Sequence, residues 1–445
     1  MESAARARRA VAQVTAALAI MLPAARAAAI PVFARIYNKP CSACHTVYPQ
    51  LNPAGEAFRA HGLHGIKPAI QPIAIAPYFD IPGTLPAALS FAFGEDVTAT
   101  SFPGQPDTTV SHFNFNFLSL LFGGELGPYF AFMADYAPVF TVPQTGEVQT
   151  STRPGIAFLQ GHAEPCDTLA NLYVGLFELP LGQSPRVHRL TVRPYLIYNI
   201  TAFGLLGQAP PVRSSSTDSL VLSSAQIGSE IIWLDPDGGW QAATGIDTGS
   251  NNRIDNNSSA DVFIRVGQEL PDRRAGLFLY YAPDTLGAGA YDQALRLGPD
   301  LMLTSRRTRL ALQFLAGWDS NPTGQHDDLW YYGGFAEGSF RFTAALIGLL
   351  RFDAVGMAPF DNHTAGGTVE VNRRLWEVTS GLQYLIEENL KVVAEVTYSE
   401  NHESVSDVTA SGVSATLRIT TAFWPLTPPV LSRWLGPDAA LAHPE

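Results

Sequence analysis

The chain has 445 residues, of which 46% are hydrophobic and only 15% charged, with 38 glycines and 3 cysteines. A formal charge of −12 excludes the basic stripe that nucleic-acid contact requires. A mean hydropathy of +0.07 is high for a soluble enzyme, yet no helix-length apolar run follows the N-terminal segment. A closed β-barrel, whose strands hide half of their residues from lipid, reconciles the two.

The first segment reads as an export signal over residues 1–27. Arg6, Arg8 and Arg9 form a basic start, Ala10 to Ala24 an apolar stretch too short to span a membrane, and Ala25-Arg26-Ala27 a small-x-small cleavage site. Its removal takes away four arginines and Glu2, so the charge moves from −12 to −15. A cytochrome-like segment, residues 28–80, follows. Its centre is Cys41-Ser42-Ala43-Cys44-His45, the spacing that covalent haem attachment requires. Two thiols add across the porphyrin vinyl groups, and the adjacent histidine is then held under the iron as proximal ligand. The competing readings are a redox dithiol, which has no need of His45, and half a zinc site, whose second ligand pair only Cys166 could begin to supply.

Asn52 as N-cap and Pro53 as first residue predict a two-turn helix over 53–60, closed by Gly62. Ala54, Phe58 and His61 share one face of it, so Phe58 is expected to cover the porphyrin edge and His61 is the candidate distal ligand. His64, beyond the helix end, is the runner-up, and an open sixth position is the third reading. The nearest following methionine, Met133, falls in a predicted strand. Pro68, Pro72, Pro77 and Pro82 predict an extended linker from Ile66 to Leu85.

The residues around the pentad carry a resemblance. Ile30-Pro31-Val32-Phe33-Ala34-Arg35 before it and Pro49-Gln50-Leu51-Asn52-Pro53-Ala54-Gly55-Glu56-Ala57-Phe58-Arg59 after it resemble the outer-membrane monohaem cytochrome c-porin fusions of iron-oxidising bacteria. Weaker echoes are Val174-Gly175-Leu176-Phe177-Glu178-Leu179-Pro180 and His188-Arg189-Leu190-Thr191. The resemblance implies a short cytochrome segment carrying one covalent haem c in front of an outer-membrane barrel that takes electrons from extracellular Fe(II).

From 87 to 424 the texture is that of a transmembrane antiparallel β-barrel of about sixteen strands. Phe113, Phe115 and Phe117 alternate with Asn114 and Asn116, apolar toward lipid and polar toward the lumen. Strands are predicted near 87–95, 111–123, 128–140, 169–179, 190–199, 220–234, 239–248, 260–269, 274–283, 293–303, 308–318, 328–336, 340–353, 368–386, 390–400 and 411–424. Short turns alternate with the longer stretches 96–110, 141–168, 200–219, 249–259, 284–292, 319–327, 354–367 and 401–410. Short turns then face the periplasm, long loops face outside, and both termini are periplasmic. The run 368–386 is longer than a spanning strand, and Arg373-Arg374 requires a bulge there. Residues 425–445 form a Pro-rich tail without an assigned role.

One haem cannot exchange electrons through a hydrocarbon layer about 30 Å thick, so the N-terminal segment is expected to plug the lumen. Oxygen ligands suit iron, and His326-Asp327-Asp328 and His363 beside Asp361 are loop groups with that chemistry, although a solvated polar tip explains both. Two functions fit: electron transfer from Fe(II) to a periplasmic c-type cytochrome, or a pore or structural protein whose haem serves redox sensing or stability.

Overall fold

The computed structural model describes residues 32–141, 148–150, 155–165, 168–206, 220–235, 239–249, 259–270, 272–286, 290–322, 328–364, 367–404 and 407–423. The signal segment, Cys166, His326, Asp327 and the tail lie outside them. Two helices open the described chain, α1 (Val32–Tyr37) and α2 (Pro53–Ala60), and between them a 3₁₀ turn (Cys41–Ala43) leads into a small hairpin of β1 (His45–Val47) and β2 (Gln50–Leu51). The predicted linker is not wholly extended. It forms a hairpin, β3 (Ile73–Ala76) and β4 (Phe79–Ile81), because its prolines fall at strand edges and turns where no ladder N–H is needed.

The barrel begins with β5 (Ala87–Ser101), β6 (Thr108–Glu125), β7 (Phe130–Thr141), the three-residue β8 (Val148–Thr150), β9 (Ile156–Ala163) and β10 (Leu169–Phe177). A long connection, 178–225, carries the short helices α3 (Leu196–Asn199) and α4 (Ala202–Leu206). There follow β11 (Gln226–Leu234), β12 (Trp240–Asp247), β13 (Asp261–Glu269), β14 (Arg273–Leu286), β15 (Ala290–Thr304), β16 (Thr308–Asp319), β17 (Leu329–Arg341) and β18 (Leu346–Met357). A loop hairpin, β19 (Phe360–Thr364) and β20 (Gly367–Val371), precedes β21 (Arg373–Glu387), β22 (Leu390–Glu403) and β23 (Val408–Phe423). All barrel pairings are antiparallel, and β23 pairs with β5 to close the ring. With β8 a short addition beside the β7–β9 pair and β19–β20 outside the ring, sixteen strands make the wall.

The burial pattern is that of a barrel in lipid. On β13, Val262 is 44% exposed while Phe263 is fully buried, and Ile264 and Val266 are exposed while Arg265 is buried. The outward row is therefore apolar, and the charged residues of the strand lie on the inward row. Phe113 and Phe115 point outward and Asn114 inward, as their alternation predicts.

Two strand assignments differ from the sequence expectation. Residues 190–199 form no strand: Pro194 interrupts any ladder, and the apolar alternation there serves packing inside the lumen. The strand that takes its place in the count is β9. Its outward row, Ala157, Leu159, Gly161 and Ala163, is too weakly apolar to carry a periodic signal. The connection at 164–168 is therefore a short turn, and 178–225 is one long connection at the long-loop end. The run 368–386 breaks at Asn372 into a loop strand and a wall strand, so Arg373 sits at the strand end, paired with Glu403 at 2.8 Å. The alternation of long and short connections holds elsewhere except at 287–289 and 404–407, where β14, β15, β22 and β23 extend beyond the expected bounds.

The long connection crosses the lumen. It leaves β10 and reaches the opposite wall, where the Tyr195 ring stacks on Phe335 at 4.0 Å and Tyr198 Oη donates to Gln313 at 2.8 Å. The Val192 and Arg193 N–H groups donate to Glu395 at 2.8 and 2.9 Å, and Arg193 pairs with Glu377. Arg351, wholly buried, donates to Asp353 at 2.6 Å, to the Arg193 and Pro194 carbonyls at 2.9 Å each, and to Thr191. Arg351→Ala should release this crossing, at a cost of about 3–5 kcal/mol for breaking a buried pair. The expected outcome is a normally folded barrel with raised conductance in planar bilayers; an unchanged conductance would mean that the remaining contacts hold the segment alone.

Candidate functional site

The Cys41–His45 pentad is positioned by the helix that follows it. Asn52 caps α2 by accepting the Gly55 N–H at 3.0 Å, while its own amide donates to the Ser42 and Ala43 carbonyls at 3.0 and 3.2 Å. Its backbone N–H donates to the Cys44 carbonyl at 2.9 Å. Gly55 completes the fit: a Cβ there would lie 2.2 Å from the Cys44 carbonyl oxygen, so only glycine lets helix and pentad approach this closely. Ser42 Oγ donates to Glu388 at 2.8 Å, which ties the pentad to the β21–β22 turn at the short-turn end.

The segment rests on inward-facing wall residues. Asn171 Nδ2 donates to the Ala60 carbonyl at 2.7 Å, Lys391 Nζ to the Tyr48 carbonyl at 2.6 Å, and Tyr37 Oη to Glu125 at 2.7 Å. Val32, Ile36, Tyr37, Phe58 and Leu63 form an apolar cluster with Ala88 and Ala131 of the wall.

A cavity of about 1170 Å³ opens between this segment, the crossing segment and the wall, lined by Cys41, His45, His61, His188, Arg274 and Met302 among others. It exceeds the roughly 300–1,000 Å³ of ordinary small-molecule sites, so a porphyrin fits by size. His45 Nδ1 lies 3.1 Å from the Pro49 carbonyl and donates to it, which leaves Nε2 as the free lone pair; this is the tautomer a metal-ligating histidine takes. Burial holds the His45 pKa below its ordinary value, so the ring is neutral at physiological pH. Cys44 is partly exposed and adjoins the cavity without lining it. Burial, then Glu388, pushes the Cys41 thiol up to about 11, and burial raises Cys44 as well. Such thiols are protonated at neutral pH, which disfavours the redox-dithiol reading. The zinc reading would need Cys166, which lies outside the described residues.

The two distal candidates separate. His61 lines the cavity, and its Nδ1 donates to the Ala57 carbonyl at 2.7 Å, leaving Nε2 free. His64 lies outside the lining, with its ring nitrogens 2.7 and 3.0 Å from the Gly62 and Gly127 carbonyls and its ring stacked on His162. Phe58 does not face the cavity: it packs edge-on against Phe33 and Tyr37. The residues of α2 that line the cavity are Pro53, Glu56, Ala57, Arg59 and Ala60, and His61 joins them as the C-cap, one turn beyond Ala57. Met302 lines the cavity from the wall, but its sulfur accepts from Arg309 Nε at 3.0 Å. Asp361 is exposed in the loop hairpin, remote in sequence from every lining residue.

Sequence reading missed His188. Its Nδ1 accepts the Ser184 N–H at 2.9 Å, so Nε2 carries the proton and donates to Glu56 at 2.7 Å. Burial lowers its pKa to about 3, and the contact is therefore a neutral imidazole on a carboxylate rather than an ion pair. Glu56 is also 3.4 Å from Arg274. Burial opposes its charge, but Arg274 and His188 outweigh burial and hold the carboxyl below its ordinary value.

No protein-family model and no characterised protein matches the sequence. Solved structures do. The anion-selective porin from Comamonas acidovorans superposes with a TM-score of 0.52 at 12% identity, covering 76% of this chain and 99% of that one. The outer membrane channel DcaP of Acinetobacter baumannii gives 0.47 at 9% identity over 76% and 97%. OmpT of Vibrio cholerae gives 0.45 at 10% over 79% and 100%. The first of these shows the fold: a porin-like barrel.

The Glu56–His188 contact docks α2 on the crossing segment and makes that docking acid-sensitive. His188 has a depressed folded pKa, so its contribution is complete above its ordinary 6.5 and is lost as pH falls toward 3. Glu56 acts in the same direction below its ordinary 4.5. Proteolytic release of the N-terminal segment should therefore rise as pH drops through this window, and Glu56→Gln should weaken docking at pH 7 by about 2 kcal/mol. Release that is independent of pH, or of Glu56, would show that the apolar cluster alone holds the segment.

Proposed function

We propose that the chain is an outer-membrane electron-transfer protein that carries one covalent haem c, takes electrons from an extracellular donor, Fe(II) foremost, and passes them to a periplasmic c-type cytochrome. The observation that carries this reading is that Cys41, His45 and His61 line one porphyrin-sized cavity, with each histidine turned by its Nδ1 bond so that Nε2 is free. Cys41 and Cys44 would hold the macrocycle through thioether bonds, His45 would ligate from the proximal side, and His61 from the distal side. Bound there, haem c supplies one-electron exchange between ferric and ferrous states. The Pro49 and Ala57 carbonyls fix the two imidazoles, and the buried wall limits water. The short turns face the periplasm on this reading, which places the pentad at the rim where a soluble cytochrome could dock.

Cys41→Ala with Cys44→Ala should abolish covalent haem staining under denaturing conditions. His61→Ala should shift the visible spectrum from low spin toward high spin while His64→Ala leaves it unchanged. The reverse result would move the distal ligand to His64, and no effect of either would leave the sixth position open or filled from the wall.

The porin-like fold favours a second reading, a pore or structural barrel whose haem serves sensing or stability. Titrating the membrane-inserted protein with Fe(II) separates the two. Reduction of the haem by Fe(II) supports electron transfer. Ion conductance without any redox response would sink it in favour of the pore.

A further inference from the structure

The hairpin between α2 and the barrel exposes apolar side chains on both of its faces. All four residues of β3 are exposed, Ile75 at 61%, and Tyr78 in the turn is 67% exposed; Ile70, Phe79 and Leu85 are exposed beside them. A two-stranded hairpin is marginal by itself in water, and a contiguous apolar patch calls for a cover. Between residues 68 and 86 the only charged side chain is Asp80.

Its neighbours show where it lies. Gly123 and Gly124 alternate across β6: a Cβ on Gly123 would meet Phe33 of α1 at 2.8 Å, inside the barrel, while one on Gly124, at the end of the strand, would meet Pro82 at 2.7 Å, Phe132 at 3.6 Å and Ile36 of α1 at 3.7 Å. Phe132 faces outward, because Ala131 next to it is wholly buried in the inner cluster and Leu159, paired with Phe132, is 45% exposed. Pro82 thus sits against the Phe132 face at the end of β6, where the linker runs over the edge of the wall. The Tyr78 ring lies 6.2 Å from Tyr129, which is exposed at the rim beside outward-facing Phe130. Gly127, at φ +94, lets the β6–β7 turn approach the Tyr78 carbonyl, where a Cβ would stand 2.5 Å away. The hairpin therefore continues the lipid-facing band at its edge, the level that tyrosine favours.

We propose that the hairpin Ile73–Ile81 is a membrane foot that seats Ile73, Ile75 and Tyr78 in the headgroup and upper acyl region of the leaflet at the short-turn end. Strands of four and three residues reach roughly 10–13 Å, enough for a boundary about 5–10 Å deep and too little to span. The hairpin projects from a linker whose two ends are both tied to α1: Ala69 N–H donates to the Ile36 carbonyl at 2.8 Å, and Arg35 donates to the Leu85 carbonyl and, at 2.9 Å, to that of Ala87. This inference does not depend on haem.

The test places a benzophenone amino acid at position 75 of the full chain, reconstituted in phosphatidylethanolamine–phosphatidylglycerol vesicles and irradiated. Mass spectrometry should find lipid adducts about fivefold more abundant than with the same group at Arg306 in the β15–β16 turn. Ile73→Glu, an exposed change that leaves the barrel intact on heat-modifiable gels, should lower the adduct at 75. Adducts between two protein copies would assign the patch to self-association. Equal labelling at 75 and 306, or none, would place the hairpin in water. Either result overturns the proposal.

Discussion

A ring of sixteen strands encloses more space than its inward side chains can fill, and many of those side chains are charged, so what occupies the lumen has to satisfy buried charge. The wall meets part of this demand alone: Arg265 with Asp300 and Arg296 with Asp319, each at 2.8 Å. The crossing segment meets the rest with its backbone, two N–H groups for Glu395 and two carbonyls for Arg351. The N-terminal segment is then carried by the crossing segment: Leu51 N–H donates to the Val187 carbonyl at 3.2 Å, Val47 packs with Leu190, Ile347 and Leu349, and Glu56 meets His188. The pentad and α2 are thus held from two sides, by the crossing segment and directly by the wall through Glu388, Lys391 and Asn171.

Legibility followed the range of the interaction concerned. The pentad, the Asn52 cap and the two-turn helix were readable because their determinants lie within a dozen residues, and most strands were readable because lipid imposes a period of two on the outward row. Residues 190–199 misled because a segment packed against a lumen wall acquires a similar alternation without a ladder. β9 was invisible because alanine and glycine occupy its outward row. The strand count came out right through those two errors cancelling. His188 could not be found locally, since its partner Glu56 is 132 residues away. The Phe58 face was misjudged for a related reason: a helix has several faces, and sequence alone does not say whether α1 or a cavity takes the apolar one.

The placement of the pentad sets an asymmetry for any redox role. Ser42 is bonded to Glu388 in a short turn, and the cavity is rimmed by Arg306, Arg307, Arg341 and Glu387, so a partner on the short-turn side meets it directly. A donor on the long-loop side faces a wall that crosses a hydrocarbon layer about 30 Å thick, with the Tyr195 to Tyr198 stretch packed across the passage. On the proposed reading the acceptor side is therefore open and the donor side screened. On that reading a donor from the long-loop side meets the crossing segment before the Cys41–His45 pentad, because Tyr195 and Tyr198 are packed between the walls.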